Sequence, residues 1–252
     1  MNDAAPSPTS LRPALAKART LLCEALAETL WPTRCALCDA PGLPLCPTCR
    51  RQLPFIDALT ACPRCGAPYG LVQCTECTGV MTASAGYARF PLDAMASAVL
   101  LTGRSRRLVT TYKDQGEQRL AHDLAALMAP YIPPSWHQNA PALAYIPATA
   151  AARRRRGFDH GALLAQALAQ ETSLPVTPLL AVPSHRDQRR LTRRERAANA
   201  SNSLSVVPGA SVPSALIIID DVCTTGSTLY AAATALRHAG ADALYGLTFA
   251  RA

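Results

Sequence analysis

Nowhere in the 252 residues does an apolar run approach the ~18 residues that a membrane-spanning helix needs, so bilayer insertion is excluded and a soluble chain is expected. A secretory signal is missing as well. Lys17 and Arg19 are followed by Leu21, Leu22 and Cys23, but Glu24 interrupts before an apolar stretch of about 7–15 residues can form. A cytoplasmic location is therefore expected. In that reducing compartment a disulfide framework is not expected, and the ten cysteines are read as metal ligands or catalytic thiols. Acidic residues are also in deficit, 17 Asp+Glu against 25 Lys+Arg for a formal charge of +8. That balance points to an anionic partner, without distinguishing nucleic acid from a phosphorylated small molecule.

What is present is a globular composition, 49% hydrophobic, with enough length for one ordinary domain and something smaller. Residues 1–10 read as a small polar lead. Leu15, Leu22, Leu26 and Leu30 recur at near-helical spacing, which predicts an amphipathic packing helix ending before Pro32. These features make 1–30 an N-terminal lead and helix, 31–80 a cysteine module, and 84–252 the main domain. Within the last, the pattern predicts a strand at 84–90, helices through much of 93–111 and 117–129, and a proline-rich break at 130–141. Strands at 143–147, 176–180, 215–220 and 243–249 then alternate with helices at 162–171 and 228–238. That rhythm predicts an α/β fold with a mainly parallel sheet.

Eight cysteines form four CxxC knuckles: Cys35/Cys38, Cys46/Cys49, Cys62/Cys65 and Cys74/Cys77. A knuckle presents two thiolates on one side of a tight turn, and two knuckles complete a tetrahedron around Zn2+ at ~2.3 Å. Seven residues separate the first two knuckles and eight the last two, so sequential pairing is the simpler assignment and interleaving the alternative. Either way two structural zincs are expected. Sites with four thiolate ligands leave no open position for catalysis, and the metal replaces a core that so short a module could hardly build. Cys23 and Cys223 fall outside the pattern and read as buried or half-buried thiols.

The stretch from Ala215 through Asp220-Asp-Val-Cys-Thr-Thr-Gly-Ser-Thr228 reads as a buried strand, a small polar loop and a helix N-terminus. Ligands bind at that end of strands in open α/β sheets. Thr224, Thr225, Gly226, Ser227 and Thr228 offer hydroxyls, unobstructed backbone N–H groups and the positive end of a helix, a cradle for a monophosphate. Asp220 and Asp221 would repel phosphate and suit vicinal sugar hydroxyls or a divalent cation. Together they fit a ribose 5-phosphate. The plainer alternative is a helix merely capped by Thr or Ser.

These residues resemble the phosphoribosyl pyrophosphate (PRPP) loop of type I phosphoribosyltransferases. With Leu30-Trp-Pro-Thr-Arg-Cys35, the knuckles, Tyr112-Lys113, Arg156-Gly-Phe158 and Leu191-Thr-Arg-Arg-Glu-Arg196, the chain from about residue 25 onward resembles the ComF (competence protein F) family. The resemblance implies a phosphoribosyltransferase-like parallel sheet flanked by helices behind a double zinc ribbon. It implies PRPP with Mg2+ as ligand, Asp220 and Asp221 on the ribose hydroxyls, and displacement of pyrophosphate at ribose C1 if the chain is catalytic. It also implies single-stranded DNA and DNA-uptake proteins as partners in natural transformation.

Two Arg-rich segments are read as loops at the same sheet edge as the cradle: Arg153, Arg154, Arg155 and Arg156, and the stretch 186–196 with Arg193, Arg194 and Arg196. Together they carry the whole formal +8, and the remaining 15 basic and 15 acidic residues balance. With Lys113 they are candidates for pyrophosphate or nucleic-acid contacts, since guanidinium groups grip phosphate oxygens in pairs. Aromatic rings are scarce there, Phe158 alone, whereas sequence-tolerant single-strand binding uses several. Three functions stay open: a PRPP-binding DNA-uptake factor, a phosphoribosyltransferase acting on a nucleobase or amine, and a PRPP-sensing regulator.

Overall fold

The computed structural model describes residues 32–139, 142–182 and 204–252. The chain divides into two compact units, Met1–Arg50 and Arg51–Ala252. In the first, Arg34 and Pro41 bridge antiparallel around the Cys35/Cys38 knuckle, and Arg34 pairs with Asp39 at 3.0 Å. Helix α1 (Pro47–Arg51) begins just after Cys46 and carries Cys49 inward.

The second unit is built on a four-stranded parallel sheet in the order β1-β6-β5-β2, with β1 Ala94–Leu100, β2 Ala142–Tyr145, β5 Ala215–Cys223 and β6 Ala243–Arg251. β5 is buried over almost its whole length, as its unbroken Leu216–Ile219 run requires of a strand covered on both faces. Helices α3 (Gly103–Lys113), α4 (Leu120–Met128) and α7 (His160–Thr172) cover one face. Helix α8 (Ser227–His238) packs on β5 and β6. Leu229, Ala232, Ala233 and Leu236 of α8 share a buried cluster with Leu216, Ile218, Ala144 and Leu244. The same cluster takes in Cys62, Cys65, Cys77, Phe90, Leu92 and Met95, so the second pair of knuckles sits on the α8 side of the sheet core. Short helices α2 (Gly79–Ser84) and α5 (Pro134–Asn139) occupy the connections. No helix among the described residues is long and apolar enough to cross a membrane.

The parallel sheet flanked by helices is the predicted fold class; several local readings change. Residues 84–90 form no strand, and 94–100, read as part of a helix, is β1. Its small residues, Ala94, Ala96, Ser97 and Ala98, carry no clear period, and only pairing with β6 decides the conformation. The predicted strand at 176–180 shrinks to one parallel bridge, Val176 to Leu143, because Pro175 and Pro178 supply no N–H to a ladder. The chain then forms a two-residue β3 (Leu180–Ala181), antiparallel to β4 (Ser205–Val206). Arg153–Arg156, read as a loop, is the last turn of helix α6 (Ala150–Arg156). Thr149 caps its start through Ala152 N–H, three alanines and four arginines favour it, and Gly157 ends it at φ 81°.

Candidate functional site

Two four-cysteine clusters come first. Within Cys35, Cys38, Cys46 and Cys49, and again within Cys62, Cys65, Cys74 and Cys77, one Sγ from each residue lies within 4.8 Å of the others. The Sγ atoms of Cys38 and Cys46 are 3.7 Å apart, those of Cys62 and Cys77 3.7 Å, and those of Cys65 and Cys74 3.5 Å. A tetrahedron with ~2.3 Å Zn–S bonds spaces its sulfurs by about 3.8 Å, so both clusters fit Zn2+. The pairing is sequential. All eight are free thiols, and each closed set fits a structural metal. Burial pushes the Cys35 thiol up, but backbone N–H groups of Cys46, Cys38 and Leu37 outweigh it and bring it to about 6. Cys49, crowded by burial and by its neighbours' sulfurs, is pushed up to about 12. Zn2+ resolves such a conflict by favouring the thiolate at all four.

The second candidate site lies where β5 ends. The Cys223 carbonyl accepts from Ala252, and Thr224 and Thr225 lead into Gly226, whose φ of 76° suits glycine. A Cβ on Gly226 would also stand 2.4 Å from the Tyr230 ring, so the close packing of α8 on its own loop excludes a side chain. The residue at the N-cap of α8 is this glycine, which has no side chain to cap the helix, and Thr225 Oγ1 just before it accepts from the Ser227 N–H at 3.4 Å. Thr224, Thr225, Ser227 and Thr228 stay exposed, and Thr225 Oγ1 donates to Ser227 Oγ at 3.1 Å. A small cavity of about 20 Å³ opens beside the loop, lined by Asp220, Thr224, Gly226, Ser227 and Thr228 among others.

Asp220 and Asp221 are neighbours with opposite roles. Successive strand residues face opposite sides. Asp220 lines the loop cavity, whereas Asp221 meets Lys113, whose Nζ is 3.1 Å from Oδ1 and 2.9 Å from Oδ2. Burial and the adjacent Asp221 carboxylate hold Asp220 well above the usual carboxylate range. Burial acts on Asp221 too, but Lys113 and then His160 outweigh it and hold Asp221 below that range. The two carboxyls are thus pushed in opposite directions, Asp220 toward its protonated form and Asp221 toward the carboxylate. Lys113 is one of only two lysines in the sequence.

His160 completes this cluster, with Nε2 4.0 Å from Asp221 Oδ2. Burial pushes its imidazole below the ordinary histidine value. Its Nδ1 lies 3.4 Å from Arg156 Nη1, which can only donate. His160, Asp220 and Asp221 each place one ligand atom within 4.8 Å of the others, but Lys113 and Arg156 already supply positive charge there. The fully buried Tyr112 hydroxyl donates to the His160 carbonyl at 2.6 Å, and its ring meets Phe158 edge-on. Asp159 accepts from Ala148, Gly161 and Ala162 N–H, tying the segment after β2 to the start of α7.

β2 and β5 are parallel neighbours, so α6 and the loop before α8 leave the sheet at the same edge. Arg153, Arg154 and Arg155 are exposed. Arg156 is half-buried and its Nη2 donates to Asp114 at 2.8 Å. Arg193, Arg194 and Arg196 lie outside the described residues, as does Cys23. Cys223 is buried, as expected of a structural thiol. Sequence reasoning gave no role to His160, Asp159, Glu76 or Arg251, since each acts through partners distant in sequence.

A family model of the double zinc ribbon domain matches residues 26–82. These residues are a double zinc ribbon. No curated protein matches the chain. Both four-cysteine clusters fall within the matched residues, Cys35 to Cys49 in the first ribbon and Cys62 to Cys77 in the second. The second ribbon is braced by Arg251 at the end of β6, which donates to the Cys65 carbonyl at 2.8 Å and pairs with Glu76.

Proposed function

We propose that this chain is a ComF-type, phosphoribosyltransferase-like protein that binds PRPP or a ribose 5-phosphate compound with Mg2+ and serves DNA uptake. One observation carries the reading: α8 begins at a left-handed glycine amid exposed hydroxyls, next to a buried carboxyl. The 5-phosphate would lie at residues 224–228, where helix N–H groups favour an anion. Asp220 would meet the ribose hydroxyls, and its oxygens suit a hard cation such as Mg2+. Asp221 would act at one remove, fixing Lys113. Mg2+ supplies charge neutralisation for the diphosphate.

Arg153, Arg154 and Arg155 are exposed cations that would meet a diphosphate or a single-stranded DNA backbone at that edge. The zinc ribbons would be scaffold. Titration of the zinc-loaded protein with PRPP and Mg2+ tests the ligand: Asp220→Asn should remove binding while the melting curve stays cooperative, and retained affinity would refute the assignment. Binding of single-stranded DNA should weaken with salt, and Arg153→Gln with Arg154→Gln and Arg155→Gln should lower the log–log slope by about 2. An unchanged slope would dismiss the DNA role of α6.

A further inference from the structure

β1 is the last strand on its side of the sheet, and its outer edge is only half covered. The N–H groups of Asp93 and Leu101 donate to the Leu244 and Arg251 carbonyls of β6, and backbone direction alternates along a strand. Ala94, Ala96, Ala98 and Leu100 therefore turn their N–H and C=O groups away from β6. Residues 54–56 pair antiparallel with the far half of that edge: the Ala98 carbonyl accepts from Ile56 N–H at 3.0 Å, and Leu100 N–H donates to the Pro54 carbonyl at 2.8 Å. A turn at Asp57 then takes the chain away. The outward groups of Ala94 and Ala96 are left with no hydrogen-bond partner among the described residues.

Those two residues line a cleft of about 320 Å³ that shares no lining residue with the loop before α8. One wall is aromatic: Tyr131, whose hydroxyl donates to the Ile56 carbonyl at 2.7 Å, and Trp136 of α5, stacked on Tyr245 at 4.8 Å. Pro63 and Leu71 of the second ribbon form another. The Leu71 N–H donates to the Thr60 carbonyl, which sets residues 58–61 beside residues 69–72. There Val72 is 97% exposed, and Leu59 and Tyr69 are each 81% exposed. Grouped large apolar side chains on a surface mark an interaction site. Tyr69 also stands at φ 58°, a left-handed conformation that bulky residues rarely adopt, so the fold accepts backbone strain at this exposed ring.

We propose that this cleft binds an extended apolar segment of another protein, which pairs with Ala94 and Ala96 as a short added strand. It would continue, on the open half of the edge, the pairing that residues 54–56 already make on the other half. Main-chain bonds supply affinity in this mode, and alternate side chains enter the flanking walls. A free small molecule has no use for N–H and C=O groups repeated at strand spacing. The chain's own stretches outside the described residues do not match: 1–31 carries its leucines at helical spacing, and 183–203 is rich in arginine with a single leucine. Nor does a second copy fit. Its β1 edge lies in the same recess, and one cleft with a few rim side chains offers less than the ~800 Å² per partner of a stable dimer.

Hydrogen exchange by NMR on the zinc-loaded full chain tests the open edge: the Ala96 amide should exchange rapidly at every chain concentration. Protection in the dilute free chain would show the chain filling its own cleft, and protection that rises with concentration would show a second copy; either overturns the proposal. Hexapeptides selected by display on the same protein should converge on apolar residues at alternate positions. A synthetic peptide of that consensus should slow Ala96 exchange at least tenfold. Ala96→Pro removes an N–H that the sheet does not use, at an edge position where proline is tolerated, and should weaken the peptide at least tenfold. Leu71→Asp, at an exposed position off the strand, should weaken it to a similar degree. Absence of an alternating consensus, or binding indifferent to both substitutions, would refute the added strand.

Discussion

The two ribbons use one motif at nearly one spacing, yet their settings differ. In the first, Cys38 is exposed and Cys46 half-exposed, and the site belongs to the small unit Met1–Arg50. In the second, three of four cysteines are buried in the cluster that also holds Leu216, Ile218 and Leu236 of the sheet and α8. Arg251 reaches from the end of β6 to Cys65, with Nη1 3.7 Å from Cys223 Sγ, so ribbon, last strand and the loop before α8 share one side chain. A metal site therefore stabilises whatever packs on it, and its motif says nothing about how far that extends.

The largest expected effect comes from breaking each site in turn. Cys65→Ser should lower bound zinc from two per chain to one and destabilise the sheet unit by about 4 kcal/mol or more, read by thermal melting. Cys38→Ser should cost the same zinc and move the sheet's melt by less than about 0.5 kcal/mol. Equal losses would erase the distinction between the ribbons. Arg251→Met sharpens it. Leaving the Cys65 carbonyl without its donor should cost about 2 kcal/mol and speed zinc release to a chelator from the second site alone. Release from both sites at one rate would show that Arg251 braces neither.

A smaller contrast runs within β5. Asp221→Asn leaves Lys113 without its counter-charge, and because Lys113 retains some solvent contact the loss should be about 2 kcal/mol. Asp220→Asn should stabilise by about 1 kcal/mol, since a buried carboxyl that resists ionisation is replaced by a neutral isostere. The two depend on pH oppositely to one another in sign. Asp220 is raised, so the native state holds its proton longer and wild-type stability falls as pH rises through the carboxylate range; the gain from Asp220→Asn appears above pH ~4. Asp221 is lowered, so its contribution is present above pH ~4 and lost as acid protonates it; the deficit of Asp221→Asn shrinks there. Denaturant melts at pH 3, 5 and 7 check both.

The ribbons, the parallel sheet and the loop before α8 were legible because each writes a local pattern: a fixed cysteine spacing, an unbroken apolar run, small residues before a helix. Tyr112, Lys113, Arg156 and Phe158 stood out as motif residues, but their meeting around His160 did not, since the contacts join α3 to α7 through the fold. β1 was misread because seven residues rich in alanine suit either period, and tertiary pairing alone decides. The helical state of Arg153–Arg156 is written locally, in Thr149, Ala150–Ala152 and Gly157, although a run of four like charges also suits a solvated loop.

The order of strands also bears on how the sheet assembles. β5, α8 and β6 follow one another directly, so their pairing closes a short crossover, whereas β1 must find β6 across most of the chain. Contacts of low sequence separation form at lower entropic cost, which makes the β5–α8–β6 segment the expected folding nucleus. Leu236→Ala should then chiefly slow folding and Val99→Ala chiefly speed unfolding. The segment that carries the loop before α8 would be the first part of the sheet to exist, before the strand that completes its far edge has arrived.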